Sequence, residues 1–405
     1  MNVDSIRSVD RHTTDRSENA SSESAGVGQA GRATRVLLIQ TQAENAGAQE
    51  ISRLVGAGLA ARGYDVHNLF FFRASRSFDQ PPNTVYSASR RPGDPLSFAR
   101  FLLTLGRDIG RTRPDVILTF QHYGNTIGGA VARLAHRAPV IANQVSAKAT
   151  MAPWLRALDR LMGRLGVFDC ITVNSDEMLR DTANYPASYR KRQRHVPHGF
   201  DQKHTTLTKD EARQLFGLPA GRVVLGCAAR LHPLKQLDAA IRVLPDHPAW
   251  TLALAGQGPD EARLRQLATE LGVADRVVFI GEISPDEVAS FLAALDVFVF
   301  PSLAETFGLA AVEAAHAGVP VIANDLPVLR EVLADGEAPA ALFVNAADTA
   351  ALSSAITRVL DDPRLAEQLR RSGQSLKARY SVDAMVDAYV ELIEQARRNA
   401  AGSRA

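Results

Sequence analysis

Seven residues separate Glu305 from Glu313, and the run between them reads Thr-Phe307-Gly308-Leu309-Ala-Ala-Val, with Ser302-Leu-Ala linking Glu305 to the apolar stretch VFVFP (297–301). The pattern predicts a helix that starts near Gly308 and stops at Gly318, a left-handed stop position with Pro320 two residues beyond. Glu305 then belongs to the loop, whereas Glu313 lies about one and a half turns into the helix, so the two share no helix face. The N–H groups of Phe307, Gly308 and Leu309 at such a terminus suit a phosphate oxygen. An acid on either side of a phosphate cradle matches two vicinal diols, one of a ribose and one of a sugar ring. The plain alternative is a helix-start acid beside a solvated mid-helix acid.

A second junction follows the predicted strand 222–229: Arg230-Leu-His-Pro233-Leu-Lys235, then QLDAAIRVL. With Pro233 in the first helical turn, Arg230 and Lys235 flank one helix terminus, a pyrophosphate-type arrangement. Cations there oppose the helix dipole unless an anion lies between them. The third junction, Gly256-Gln-Gly258-Pro259, lacks the third glycine and the downstream acid of a dinucleotide fingerprint. That disfavours a nicotinamide enzyme.

These junctions need elements to hold them. Short β-branched and aromatic runs alternate with longer stretches of helical period. RVLLIQ (35–40), DVILTF (115–120), PVIANQ (139–144) and CITVNS (170–175) are examples in the first half; RVVLGCAA (222–229), TLALAG (251–256) and RVVFIG (276–281) in the second. Near-continuous apolar strands between amphipathic helices predict parallel sheets covered on both faces. Two such series predict an α/β chain of two doubly wound domains. The boundary falls near HVPHGFDQKHT (195–205), giving domains at 33–199 and 200–382. A last helix, about 383–402, has no strand after it and is assigned to the first domain. Residues 1–32, rich in Ser, Asn, Gly and charge, read as a disordered tail.

Residues 33–199 carry 22 Lys and Arg against 12 Asp and Glu, whereas 200–405 carry 20 against 27. A basic first lobe wants an anionic partner or surface. Arg90, Arg91, Arg100, Arg107, Arg111 and Arg113 crowd one region, and Arg156, Arg160 and Arg164 recur at helical spacing, which fits peripheral attraction to an anionic membrane. Cys170 and Cys227 lie in apolar runs, so buried free thiols in a reducing compartment are expected, not a disulfide framework or zinc site. No stretch of about 18 uncharged apolar residues occurs, and the start lacks the apolar core of a secretory signal. The expectation is a cytoplasmic protein, peripheral at the inner face of the plasma membrane.

The pattern Glu305, seven residues, Glu313, with Phe-Gly-Leu inside and Glu-Ala-x-x-Ala-Gly-x-Pro-Val after it, resembles the retaining GT-B glycosyltransferases of the large family 4 type (group 1). Val223 to Lys235 is similar to their strand–Arg–loop–Lys segment, and AGQGPDEARLRQLATELGVADRVVFIGEI (255–283) to their Gly-x-Gly-Pro block. Asn174-Ser175 and Val196-Pro197-His198-Gly199-Phe200-Asp201 match their interdomain run, with His198 where Asn is usual. The resemblance implies a GT-B fold, two Rossmann-like domains facing a central cleft, with the second domain taking a nucleoside-diphosphate sugar.

By the same resemblance Arg230 and Lys235 neutralise the donor diphosphate, Glu313 holds the ribose and Glu305 the donor sugar. The N–H groups of Phe307, Gly308 and Leu309 contact sugar and distal phosphate. Gly258 belongs to the matching glycine block, and the backbone around Ile280-Gly281-Glu282 receives the base edge. Many members carry Gly-Gly after the first strand; here Ala46 takes the first place and Gly47 the second. His122 in TFQHYGN is the candidate acceptor-side histidine, deeper in its loop than usual. The implied reaction is metal-independent hexosyl transfer to a glycan, lipid-linked or small-molecule acceptor in envelope or exopolysaccharide synthesis. No cofactor and no nucleic-acid partner is expected, since no Asp-x-Asp motif occurs and the arginines lack an aromatic recognition motif. Two other classes are weighed: an epimerase or phosphorylase on the same scaffold, and a nucleic-acid binder without catalysis. The epimerase lacks acid/base groups beside the donor sugar and the phosphorylase a pyridoxal lysine.

Overall fold

The computed structural model describes residues 32–44, 47–73, 80–146, 151–201, 203–336 and 338–402. The expected tail, save Arg32, and Ala46 of the first loop lie outside the described residues. Two parallel sheets carry the chain. The first contains β1 (Arg35–Ala43), β2 (Asp65–Arg73), β3 (Thr84–Tyr86), β4 (Val116–Phe120), β5 (Val140–Gln144), β6 (Cys170–Val173) and β7 (Gln193–His195), in the order β3-β2-β1-β4-β5-β6-β7. Every residue of β4 and β5 is buried, as helices on both faces require.

The second sheet contains β8 (Val223–Ala228), β9 (Trp250–Ala255), β10 (Val277–Gly281), β11 (Val297–Phe300) and β12 (Val321–Asn324). A small antiparallel pair, β13 (Ala334–Asp335) with β14 (Ala338–Pro339), precedes its last strand, β15 (Ala341–Val344). The order is β10-β9-β8-β11-β12-β15. Both sheets reverse strand order once, between β1 and β4 and between β8 and β11, and the crevices that bind ligands open at such points. The final helix, Val382–Gly402, buries Met385, Val386, Tyr389 and Ile393 against Val36, Leu38, Val116 and Leu118 of the first sheet. Tyr389 also donates to Asn143 Oδ1 at 2.6 Å, satisfying a buried hydroxyl. Cys170 and Cys227 are buried free thiols.

Candidate active site between the two sheets

The junction after β11 follows the sequence expectation closely. The helix spans Leu309–His316, Gly308 is left-handed at φ 85°, and Gly318 is left-handed at φ 78°. A Cβ at Gly308 would lie 2.6 Å from Leu329 Cδ2, so the position admits glycine on both conformational and spatial grounds. Phe307 is buried between His198 and Tyr380, each ring 5.1 Å away, which anchors the loop that carries Glu305. Leu309 packs against the cores of both sheets.

The junction after β8 corrects the expectation. Arg230 and Lys235 do not flank a single helix terminus. Pro233–Lys235 form one 3₁₀ turn, Gln236 is left-handed at φ 48°, and the helix that follows is only Leu237–Arg242. Proline at the first position suits a 3₁₀ turn as well as an α-helix, and no glycine marks the break. The turn nevertheless brings Lys235 to Glu305, Nζ to Oε1 at 2.5 Å, with both side chains half-buried. Lys235 also lies 5.8 Å from the centre of the Phe300 ring. Arg230 is the more exposed cation, and its guanidinium lies 3.9 Å from the carboxylate of Glu44 in the first domain.

Gly256 and Gly258 let the turn after β9 press on the turn after β8: a Cβ at either would run into the carbonyl oxygen of Ala229 or Leu231. Glu282, directly after β10, accepts a hydrogen bond from the Gln257 amide. Ile280 and Glu282 are both half-buried.

Glu313 sits half-buried where the first domain meets the interdomain segment. Burial pushes its carboxyl up to about 7; Lys203 opposes the rise, and Glu50 and Asp201 add to it. Lys203 bonds Glu50 Oε1 at 3.2 Å, and Arg53 bonds the same carboxylate at 2.8 Å. Burial alone would raise Glu50, but Arg53 and Lys203 outweigh it and hold the carboxyl below the ordinary range. The folded chain thus keeps a proton on Glu313 that an unfolded chain releases near 4.5. Stability consequently falls as pH rises between the two values, because the folded state binds more protons there. Urea denaturation at pH 5, 6, 7 and 8 checks this: Glu313→Gln flattens that part of the wild-type decline, and an unchanged slope refutes the assignment.

On the first-domain side His122 stands two residues past β4, in the short helical turn Gln121–Tyr123. Gln121 is left-handed at φ 65°, and a π-helical turn, Gly124–Gly128, follows. Both features are departures from regular backbone that concentrate at functional sites. His122 Nδ1 lies 3.2 Å from Ser146 Oγ, and burial lowers its pKa. Gly47 begins the helix Gly47–Ala61, and a Cβ there would meet nothing within 4 Å.

Residues 208–376 match the family described as "Glycosyl transferases group 1", and residues 47–204 match "Glycosyltransferase Family 4". Over 392 residues the chain is 30% identical to a D-inositol 3-phosphate glycosyltransferase of Acidothermus cellulolyticus, covering 85% of each protein. The chain belongs to the group 1, family 4 glycosyltransferases. A lipopolysaccharide core biosynthesis mannosyltransferase of Rhizobium meliloti is 34% identical over 183 residues, 42% of this chain and about half (52%) of that relative. The fold is that of Anabaena HepE, solved with UDP and glucose: TM-score 0.76 at 19% identity, covering 89% of this chain and 99% of that one. This glycosyltransferase therefore has the two-domain GT-B architecture.

Within the glycosyltransferase, several residues join the site that the sequence reading left unassigned. Glu44, Glu50, Arg53 and Lys203 are among them, as is a contact between His198, Asn174 and the Glu305 loop. The Asn174 amide lies 3.4 Å from both ring nitrogens of His198 and donates to Thr306 Oγ1 at 3.4 Å. Burial drives His198 down to about 3, so the ring is neutral and packs on Phe307. The motif run around Asn174 and His198 was the available signal for this contact; nothing local marks Lys203.

Proposed function

We propose that the chain transfers a hexosyl group from a nucleoside-diphosphate sugar to a glycan, lipid-linked or small-molecule acceptor, retaining anomeric configuration and needing no metal. The observation that carries this is the convergence of Lys235, Glu305 and the Gly308 helix terminus at the β8/β11 reversal. In that arrangement Lys235 and Arg230 neutralise the leaving diphosphate, the role a divalent ion would otherwise fill. Peptide N–H groups of Phe307, Gly308 and Leu309 stabilise the charge developing on the distal phosphate. Glu305 takes the donor-sugar hydroxyls once the phosphate has drawn Lys235 away, and Glu313 takes the ribose.

The same-face course follows from the family resemblance: the acceptor attacks within an oxocarbenium-like ion pair on the side the diphosphate leaves. His122, beside the strained Gln121, lies at the acceptor side, and Gly47 leaves backbone space near the phosphate. Gly258 keeps the floor of the nucleotide site free of side chain. Nucleotide-sugars are cytoplasmic metabolites, which supports a cytoplasmic location. After dialysis against EDTA, at least one of the common UDP-, GDP- and ADP-hexoses should still release nucleoside diphosphate, and NMR should show a product anomer matching the donor. Strict dependence on added Mg²⁺ or Mn²⁺ rules out the metal-free course; an inverted anomer rules out retention.

The acceptor side has a surface of its own. On the helix Pro95–Thr112, exposed Leu96, Arg100, Leu103, Arg107 and Arg111 follow at i, i+4, i+7, i+11 and i+15, one helix face. The helix Pro153–Leu165 exposes Trp154, Leu161 and Leu165 beside Arg160 and Arg164. Apolar and cationic groups mixed on exposed helices suit an interfacial seat, each cation being worth about 1 kcal/mol near an anionic surface. No helix among the described residues is long and apolar enough to cross a membrane. Vesicles containing anionic lipid should therefore sediment the protein at low salt and release it at raised salt. Protein left in the supernatant at low salt would point to a soluble acceptor.

A further inference from the structure

With a nucleoside diphosphate in this cleft, as proposed above, the position of the ribose fixes where the base must go. Glu313 shares its surroundings with Glu50, Lys203 and Asp201. Ile280 at the end of β10 and Ile283 just beyond it pack on the apolar cluster that contains Phe307, Ala311 and Val312, the neighbours of Glu305 and Glu313 in sequence. Arg53, bonded to Glu50, feels the carboxylate of Asp286 in the following 3₁₀ turn Pro285–Glu287. The outlet of β10 thus borders the ribose position. Two half-buried apolar side chains, Ile280 and Ile283, offer a base an apolar face there. Between them stands Glu282, held by the amide of Gln257 from the glycine turn after β9. The base edge therefore meets a fixed carboxylate.

We propose that Glu282, oriented by Gln257, selects guanine, so that the donor is a GDP-sugar. An ionised carboxylate only accepts hydrogen bonds. Guanine presents two adjacent donors, N1–H and N2–H, and can give both to one carboxylate as a charge-assisted pair. Uracil presents a single N3–H flanked by two carbonyl oxygens, which the carboxylate repels. Adenine sets its amino group beside the acceptor N1, again one attraction against one repulsion. Two matched bonds of this kind discriminate by on the order of 10- to 100-fold.

Calorimetric titration of the full chain with GDP, UDP and ADP tests this. GDP binds at least tenfold tighter than the other two, and Glu282→Gln removes most of that margin while leaving UDP and ADP affinities in place. Tighter binding of UDP or ADP by the wild-type protein overturns the guanine assignment alone, whatever the variant does. An equal loss for all three nucleotides in Glu282→Gln also overturns it. If none of the three binds, the donor reading on which it rests is overturned.

Discussion

Lys235→Ala should lower kcat/KM by on the order of 30- to 1000-fold, the loss of ~2–4 kcal/mol of transition-state stabilisation. The size follows from where the ammonium sits. It is half-buried, bonded to Glu305 at 2.5 Å and set against the Phe300 ring, so bulk water is a poor substitute for it. In the free protein Glu305 occupies the ammonium; in the proposed reaction the departing diphosphate takes its place. Arg230 is about half exposed, at 48%, and its partner Glu44 is 3.9 Å away. Solvent screens such a charge, so Arg230→Ala belongs at the weaker end of that range. Steady-state kinetics on both variants decides the matter. Near-wild-type turnover in Lys235→Ala would refute the clamp.

The two glutamates should separate nucleotide binding from sugar transfer. At pH 8, above the raised Glu313 value, Glu313→Ala weakens free nucleoside diphosphate and nucleotide-sugar alike, by roughly 10- to 150-fold, since a charge-assisted bond to the ribose is common to both. Glu305→Ala leaves affinity for the free nucleotide intact or raises it, because it releases Lys235 for the phosphate. Transfer nevertheless falls by about two orders of magnitude as the sugar hydroxyls lose their acceptor. Calorimetry with the free nucleotide and kinetics with the intact donor read the two effects apart. Equal losses of nucleotide affinity in both variants would show the division of roles to be wrong.

What the sequence displayed was whatever local rules govern. Uninterrupted apolar runs such as VILTF and VIANQ announced buried parallel strands, and Gly308 and Gly318 marked both ends of the Glu313 helix because each is left-handed. The edge strand Thr84–Tyr86 and the pair β13–β14, of three and two residues per strand, are too short to show a period. Gln236 misled the reading at the β8 junction: a left-handed residue other than glycine leaves no mark in the composition. The remaining omissions are contacts between distant parts of the chain. Lys203 meets Glu50 across 153 positions and Asn174 meets Thr306 across 132, pairings set by the docking of two sheets and invisible to any local window.

In the proposed reaction a nucleotide-sugar lies across the turn after β8 and the loop after β11. Hydrogen–deuterium exchange with and without a saturating nucleotide-sugar tests it most directly, since backbone amides that bind phosphate, or are covered by it, exchange slowly. A bound nucleotide-sugar should slow exchange over residues 229–237 and 302–313, with the first segment losing its protection in Lys235→Ala. Unchanged exchange in both segments, with protection elsewhere in the chain, would contradict it.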